Sequence, residues 1–234
     1  MADKAPSLWE DCLEIFYAPG AVFARRRDDP AFGGALLVLL VVSIGLALAF
    51  QGAFEPLLEA DLRRNFAQAM KDDPRLTPEM MERSIAFGKR FFLLGVGAFA
   101  LVLPIAIGAA VWLAGKLVDS KAGFGHAVMV ATFAMYARIP ETVVNALQAL
   151  LLPEDALKGQ MGVKLGVSRF LDPDRTSQLV MALAGRVDLF TLWVTAIIAT
   201  GIAVTGPVSR GRAWAAAGLV WLVGAVPGVW GALK

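Results

Sequence analysis

The sequence predicts an all-α protein set in a membrane: an integral helical bundle of five transmembrane helices, with interfacial and extracytoplasmic amphipathic helices around it. Three observations predict it. First, 57% of the 234 residues are hydrophobic and 18% charged, whereas soluble domains run at about 45–50% apolar and about 25% charged. Second, the chain holds four long stretches without a charge. Third, the side chains that build soluble active sites are scarce, with one cysteine and one histidine in the whole chain.

The uncharged stretches set the spans, because a helix needs about 20 apolar residues to cross about 30 Å of hydrocarbon. There are 25 such residues between Asp29 and Glu55 and 25 between Arg90 and Lys116. A further 21 separate Asp188 from Arg210, and 21 more separate Arg212 from Lys234. A fifth stretch, residues 122–153, has Arg138 and Glu141 as its charges, with Pro140 between them. Proline cannot donate to the carbonyl of Tyr136 and its ring crowds that turn, so a kink or a break is expected there. One tilted helix and two short segments both fit. The expected spans are about 31–52, 91–115, 124–152, 188–207 and 213–232, which leaves outer loops at 53–90 and 153–187.

Residues 1–30 form the cytoplasmic N-terminal segment ahead of this membrane domain, 31–234. They lack the basic start and apolar centre of a cleavable signal. Leu8, Trp9, Leu13, Ile15 and Phe16 alternate with acids and the pattern restarts after Pro19, which reads as an amphipathic helix along the interface. Trp9 and Phe16 are its candidate docking residues, and Cys12 is a thiol that either stays idle or is acylated. Arg25, Arg26 and Arg27 flank the first span and place the N-terminus in the cytoplasm. Five spans then put the C-terminus outside, in a cell inner (plasma) membrane.

The outer loops carry local signals. Residues 54–90 read as two helices split by DDPRLTP, the second capped by Thr77 with Pro78 at its first position. Residues 161–168 alternate like a weak strand. Asp172-Pro173 is expected to start a helix through Leu183 that Gly185 ends, and the two outer pieces to cap the bundle together.

Arg138, Glu141, Asn145 and Gln148 are the candidate polar site. Their spacings of three, four and three place them on one face of a continuous helix. A charge inside a span costs roughly 2.5–3.5 kcal/mol on insertion scales and faces a cavity or a partner. The stripe is either a groove for a substrate, headgroup or partner helix, or a buried seam that holds the bundle. Gly224 and Gly228, separated by three residues, are candidate helix-packing positions. Gly95, Gly97 and Gly108 invite the same reading, and Pro104 a mild kink. Asp188 is expected to cap the fourth span, and His126 to sit at a loop edge.

The chain contains no phosphate-binding loop, HExxH or GxSxG. No catalytic residue, cofactor or metal site is expected, and the balance of 22 basic against 20 acidic residues argues against nucleic acid as a partner. The expected partners are the lipid bilayer and either a membrane protein or further copies of the chain. The expected function is that of a non-enzymatic scaffold or accessory subunit in a membrane complex, such as a transporter or export assembly. The alternative is a self-contained carrier of small molecules or lipids working through the polar stripe.

Several stretches resemble the Yip domain family of five-span, Ypt/Rab-interacting membrane proteins. SLWEDCLEIFYAPGAVF is similar to the family's start, through Trp9, Ile15, Phe16, Pro19 and Phe23. FGHAVMVATFAMYARIPETV resembles its third span, with Tyr136 and Pro140 as the aromatic-to-proline pattern. RVDLFTLWVTAIIATGIAVTGPVSRGRAW is the closest stretch, where Asp188, Phe190, Trp193 and Gly201 match the span, and Ser209 and Arg212 the loop after it. The resemblance covers most of 7–225 and is nearest to the bacterial branch. It implies five spans, a cytoplasmic N-terminus, no established enzymatic activity and action through protein partners. The long acidic-aromatic arm of eukaryotic members has no counterpart, so Rab binding is not implied.

Overall fold

A computed structural model describes residues 7–73, 75–153 and 159–233 of the chain. Parts of the expected N-terminal segment, of DDPRLTP and of the second outer loop therefore lie outside the described residues, as does Lys234.

The described residues are mainly helical. The helices are α1 (Leu8–Glu14), α2 (Pro19–Arg25), α3 (Gly33–Ala49), α4 (Gln51–Asp72), α5 (Pro78–Leu117) and α6 (Phe124–Ala134). They continue with α7 (Arg138–Leu151), α8 (Gln178–Ala184), α9 (Leu189–Thr205), α10 (Arg210–Val223) and α11 (Val226–Ala232). Three helical stretches are long and apolar enough to cross a membrane: Pro78–Leu117, Phe124–Leu151 and Arg210–Ala232. A fourth is obtained if α3 and α4, bent by 83° at Phe50, form one span. The expected span 188–207 is the 17-residue α9, about 26 Å long at 1.5 Å per residue and so a little short of about 30 Å.

The third hydrophobic stretch is a single path with a tightened middle. α6 passes through a 3₁₀ turn at Met135–Ala137 into α7. Pro140 explains the turn, since it withdraws the donor that would hold the Tyr136 carbonyl. Pro104, by contrast, leaves α5 continuous over 40 residues.

α6 is the centre of the molecule. Every residue from Ala127 to Ala137 is buried, and α5 and α9 pack against it. Two glycines allow that approach. A Cβ on Gly108 would lie 2.7 Å from the Val128 Cα, and one on Gly201 would lie 2.5 Å from a Val130 methyl. α2 packs on α9, with Val22 and Phe23 fully buried. Gly95 and Gly97 approach nothing that closely.

The local signals are met in part. Thr77 Oγ1 accepts from the Met80 N–H at 3.3 Å and Pro78 opens α5. Residues 161–168 are not a strand: they form 3₁₀ turns at Gln160–Val163 and Val167–Phe170, joined to α9 through one antiparallel bridge between Gly166 and Asp188. With a single bridge there is no ladder to propagate, so the period-two pattern has nothing to pair with. The helix expected from Asp172 begins at Gln178, capped by Ser177 Oγ, and ends at Gly185. The two outer pieces do meet: Asp61 Oδ2 accepts from the Gln160 N–H at 3.1 Å, and Arg64 pairs with Asp174 at 3.1 Å. At the opposite end the short connections meet, through Lys121 N–H to the Gly206 carbonyl and Arg212 to Asp119.

Candidate functional site

The polar stripe begins where Pro140 has opened the helix. Arg138 Nη1 donates to Glu141 Oε2 at 2.5 Å, and Arg138 Nη2 donates to Thr191 Oγ1 at 3.1 Å. Glu141 is 8% exposed, so its carboxylate depends on this contact. Thr191 is held in register because Asp188 Oδ1 accepts from the Phe190 and Thr191 N–H groups at 3.0 and 2.9 Å. Asp188 is therefore the N-cap its position suggested.

The stripe does not stay one surface along its length. Gln148 turns to the outer segment, where Nε2 donates to the Val163 carbonyl at 2.7 Å and Oε1 accepts from Arg169 Nη1 at 2.5 Å. Asn145 lies between the two halves, and its Oδ1 is buried without a partner, as are Ser168 Oγ, Arg186 Nε and Asp188 Oδ2. Arg186 clamps α10 to the start of α9. Its Nη2 donates to the Trp221 carbonyl at 2.9 Å, Trp221 Nε1 donates to the Arg186 carbonyl at 3.1 Å, and the guanidinium lies over the indole. Burial pushes the Arg186 pKa below the usual arginine value, with the positive charge of Arg138 adding to it and Asp188 opposing.

Arg138 also opens onto a groove of about 640 Å³ between α3, α4, α5 and α7. Leu46, Phe54, Leu58, Phe92, Phe99 and Leu103 supply much of its wall, and among its described lining residues Arg138 is the charged one. The stripe pattern located Arg138 and Glu141 but gave no sign of Thr191, Arg169 or Arg186. Those partners come from segments 21 to 53 residues away, a distance at which helical periodicity carries no information.

The N-terminal helices are locked onto the bundle. Asp11, 2% exposed, accepts from Arg25 at 2.6 Å and from Arg26 at 2.7 Å. The Cys12 thiol donates to Tyr136 Oη at 3.1 Å, and the Tyr136 hydroxyl donates to the Ala35 carbonyl at 2.7 Å. Burial pushes the Cys12 pKa up, and at 5% exposure the thiol is closed to acylation in this conformation. Phe16 packs against the rings of Tyr136 and Trp193, so of the two candidate docking aromatics Trp9, 66% exposed, is the one left on the surface. Gly224 and Gly228 face this chain's own Arg186 and Ala182. His126 Nε2 lies 2.8 Å from the Arg27 carbonyl and donates to it. Among the described residues, no three His, Cys, Asp or Glu side chains gather as a metal site would require.

The family model described as the Yip1 domain matches residues 13–231. Among curated proteins and among solved structures, none matches. The matched region contains α6, the Arg138–Glu141 pair, the Asp188 cap and both packing glycines, Gly108 and Gly201, and a match of that extent settles the relationship: the chain is a membrane protein of the Yip1 domain family.

Proposed function

We propose that the chain is a non-enzymatic scaffold or accessory subunit of a bacterial inner-membrane complex, with a transporter or export assembly as its setting. It crosses the membrane five times, the short α9 and the bent α3 each making one crossing, and residues 1–30 lie on the cytoplasmic face. Arg25, Arg26, Arg27, Lys116, Lys121, Arg210 and Arg212 lie toward one end of the bundle; the positive-inside tendency makes that end cytoplasmic and the C-terminus extracytoplasmic. The observation behind the scaffold role is the apolar surface that α5, α10 and α11 leave exposed, including Leu94, Leu113, Leu222 and Val226. A membrane-protein partner or a further copy of the chain would cover it, with Trp9 as a cytoplasmic contact. The test is affinity purification of the tagged protein from native membranes in mild detergent, followed by mass spectrometry. A stoichiometric protein partner, or a homo-oligomer, supports the role; a protein recovered as a monomer with lipid alone overturns it.

A second reading, a small-molecule or lipid carrier, is favoured by one observation: the charged head of the polar stripe opens onto the apolar groove. It requires movement of a bound molecule between membranes or leaflets, which a vesicle transfer assay measures directly.

A further inference from the structure

We propose that α1 and α2 form a hydrated notch in the leaflet at the end where α5 meets α6. Water and lipid headgroups reach deeper along the bundle there than they do beside α5 and α10. The notch rests on α5 and α10–α11 crossing the membrane, and on neither the scaffold nor the carrier role.

Contacts fix the depth of α1. α6 begins at Phe124 and α9 ends at Thr205 on the same side, where the Lys121 N–H donates to the Gly206 carbonyl. Tyr136 and Trp193 each stand 12 residues in from those ends, about 18 Å at 1.5 Å per residue. Phe16 packs on both rings, and the Cys12 thiol donates to the Tyr136 hydroxyl. α3 starts at this level too, with Gly34 against Leu8 and the Ala35 carbonyl accepting from Tyr136. α1 therefore crosses α3, α6 and α9 about 18 Å into the bundle, a distance on the order of one leaflet of about 30 Å of hydrocarbon. α2 returns beside α9, with Gly20 against Thr200, and the chain then brings the Arg27 carbonyl to His126 near the start of α6.

The hairpin carries charge at a depth where the neighbouring spans carry none. α5 has 25 uncharged residues between Arg90 and Lys116. Its Gly108 lies against Val128, so Val102, which is exposed, stands near the level of Tyr136. On α10 the exposed Leu219 is nine residues past Arg210. At the same depth α1 and α2 expose Glu10 and Arg25 and leave Glu14 and Arg26 half-buried. These arginines are not free to bend toward the end of the bundle. Arg25 pairs with Asp11 at 2.6 Å and with Glu14, and Arg26 pairs with Asp11 at 2.7 Å. A bilayer meeting fixed charge at that depth thins, so that headgroups and water come to it. The rest of the α1 surface suits that boundary. Trp9, Leu13 and Tyr17, four residues apart, form an exposed stripe, and Trp and Tyr are enriched where membrane meets water. Farther along α9, Leu192 and Leu189 are exposed and apolar, so the hydrocarbon resumes beyond α1.

The test is electron paramagnetic resonance power saturation on the full chain in phosphatidylcholine vesicles, with oxygen as the apolar relaxant and a nickel chelate as the water-soluble one. Spin labels are placed by Leu13→Cys, Ala24→Cys, Val102→Cys or Leu219→Cys, each in a Cys12→Ser background. All four labelled positions are exposed, so the labels displace no packing. Oxygen should dominate at Val102→Cys and Leu219→Cys, and the ratio should reverse in favour of the chelate at Leu13→Cys and Ala24→Cys. Oxygen dominating at all four sites overturns the notch and leaves the crossing of α5 and α10–α11 standing. Chelate dominating at all four overturns that crossing and the notch with it. Closure of Leu13→Cys and Ala24→Cys to both relaxants also overturns the notch, since a second copy of the chain would then cover the flank.

Discussion

Breaking the Arg138–Glu141 pair from one side should cost far more than removing both charges. Arg138→Leu leaves Glu141, 8% exposed, with its ion-pair partner gone, and stranding one member of a buried pair costs about 3–5 kcal/mol. Glu141→Leu leaves Arg138 with its bond to Thr191. Because the arginine side chain is one-third exposed toward the groove, a smaller loss, about 2–3 kcal/mol, is expected. The double variant, Arg138→Leu with Glu141→Leu, strands no charge and gives up the Thr191 contact, worth about 1 kcal/mol. The two single losses add to about 5–8 kcal/mol, so the double-mutant cycle should show a coupling of several kcal/mol. Equilibrium unfolding in mixed micelles, followed by circular dichroism, measures all four proteins on one scale. A double variant as unstable as the sum of the singles, within about 0.5 kcal/mol, would refute the reasoning: the two side chains would then be independent, and the contact incidental.

Other outcomes follow from the packing. Gly108→Leu drives a side chain into the Val128 backbone, which cannot rotate aside, so it should destabilise by about 3 kcal/mol or more. Gly97→Ala, whose Cβ would sit 3.7 Å from Ile44 and Leu40, should instead stabilise by about 0.5–1 kcal/mol; the same unfolding assay compares them. Asp11→Asn removes the charge that holds Arg25 and Arg26. A loss of about 2 kcal/mol is expected because both arginines are partly exposed, with faster amide exchange across residues 8–25 as the local sign. Cys12 should react with a maleimide roughly 100-fold slower in the folded protein than in denaturing detergent. Asp61 is set outside the apolar stretches, and burial raises its pKa above the ordinary 3.8, against the opposing bond from the Gln160 N–H and the charge of Arg64. A raised acid pKa means that the folded state holds the proton more tightly. Its contribution is then full below about 3.8 and is lost as pH rises through the folded value. Stability measured from pH 3.5 upward should carry that fall in the native protein and lack it in Asp61→Asn.

The sequence by itself determined most of the long helices and several of their ends. Uncharged length located α3, α5, α9 and α10–α11, and a stretch broken by Arg138 and Glu141 located α6–α7, because hydrocarbon thickness translates directly into residue count. Thr77, Asp188 and Gly185 marked their boundaries because a cap is satisfied within three residues of itself. The same locality set the limits. Alternation at 161–168 suggested a strand, yet pairing needs a second strand that only the fold could bring. The break at Pro140 was legible, whereas one tilted helix and two short segments fitted it equally, and the fold took a single path through a 3₁₀ turn at Met135–Ala137. Tertiary structure alone decided that Phe16 and Cys12 face inward, that Gly224 and Gly228 serve this chain's own packing, and that Arg138 meets Thr191 and the groove. These are contacts across 38 to more than 100 residues. Periodicity shows which side of a helix is polar or small but not what stands opposite it. In a bundle of uniformly apolar helices, that choice is made by close fit at positions such as Gly108 and Gly201, where backbone and side chain meet without room for a methyl group.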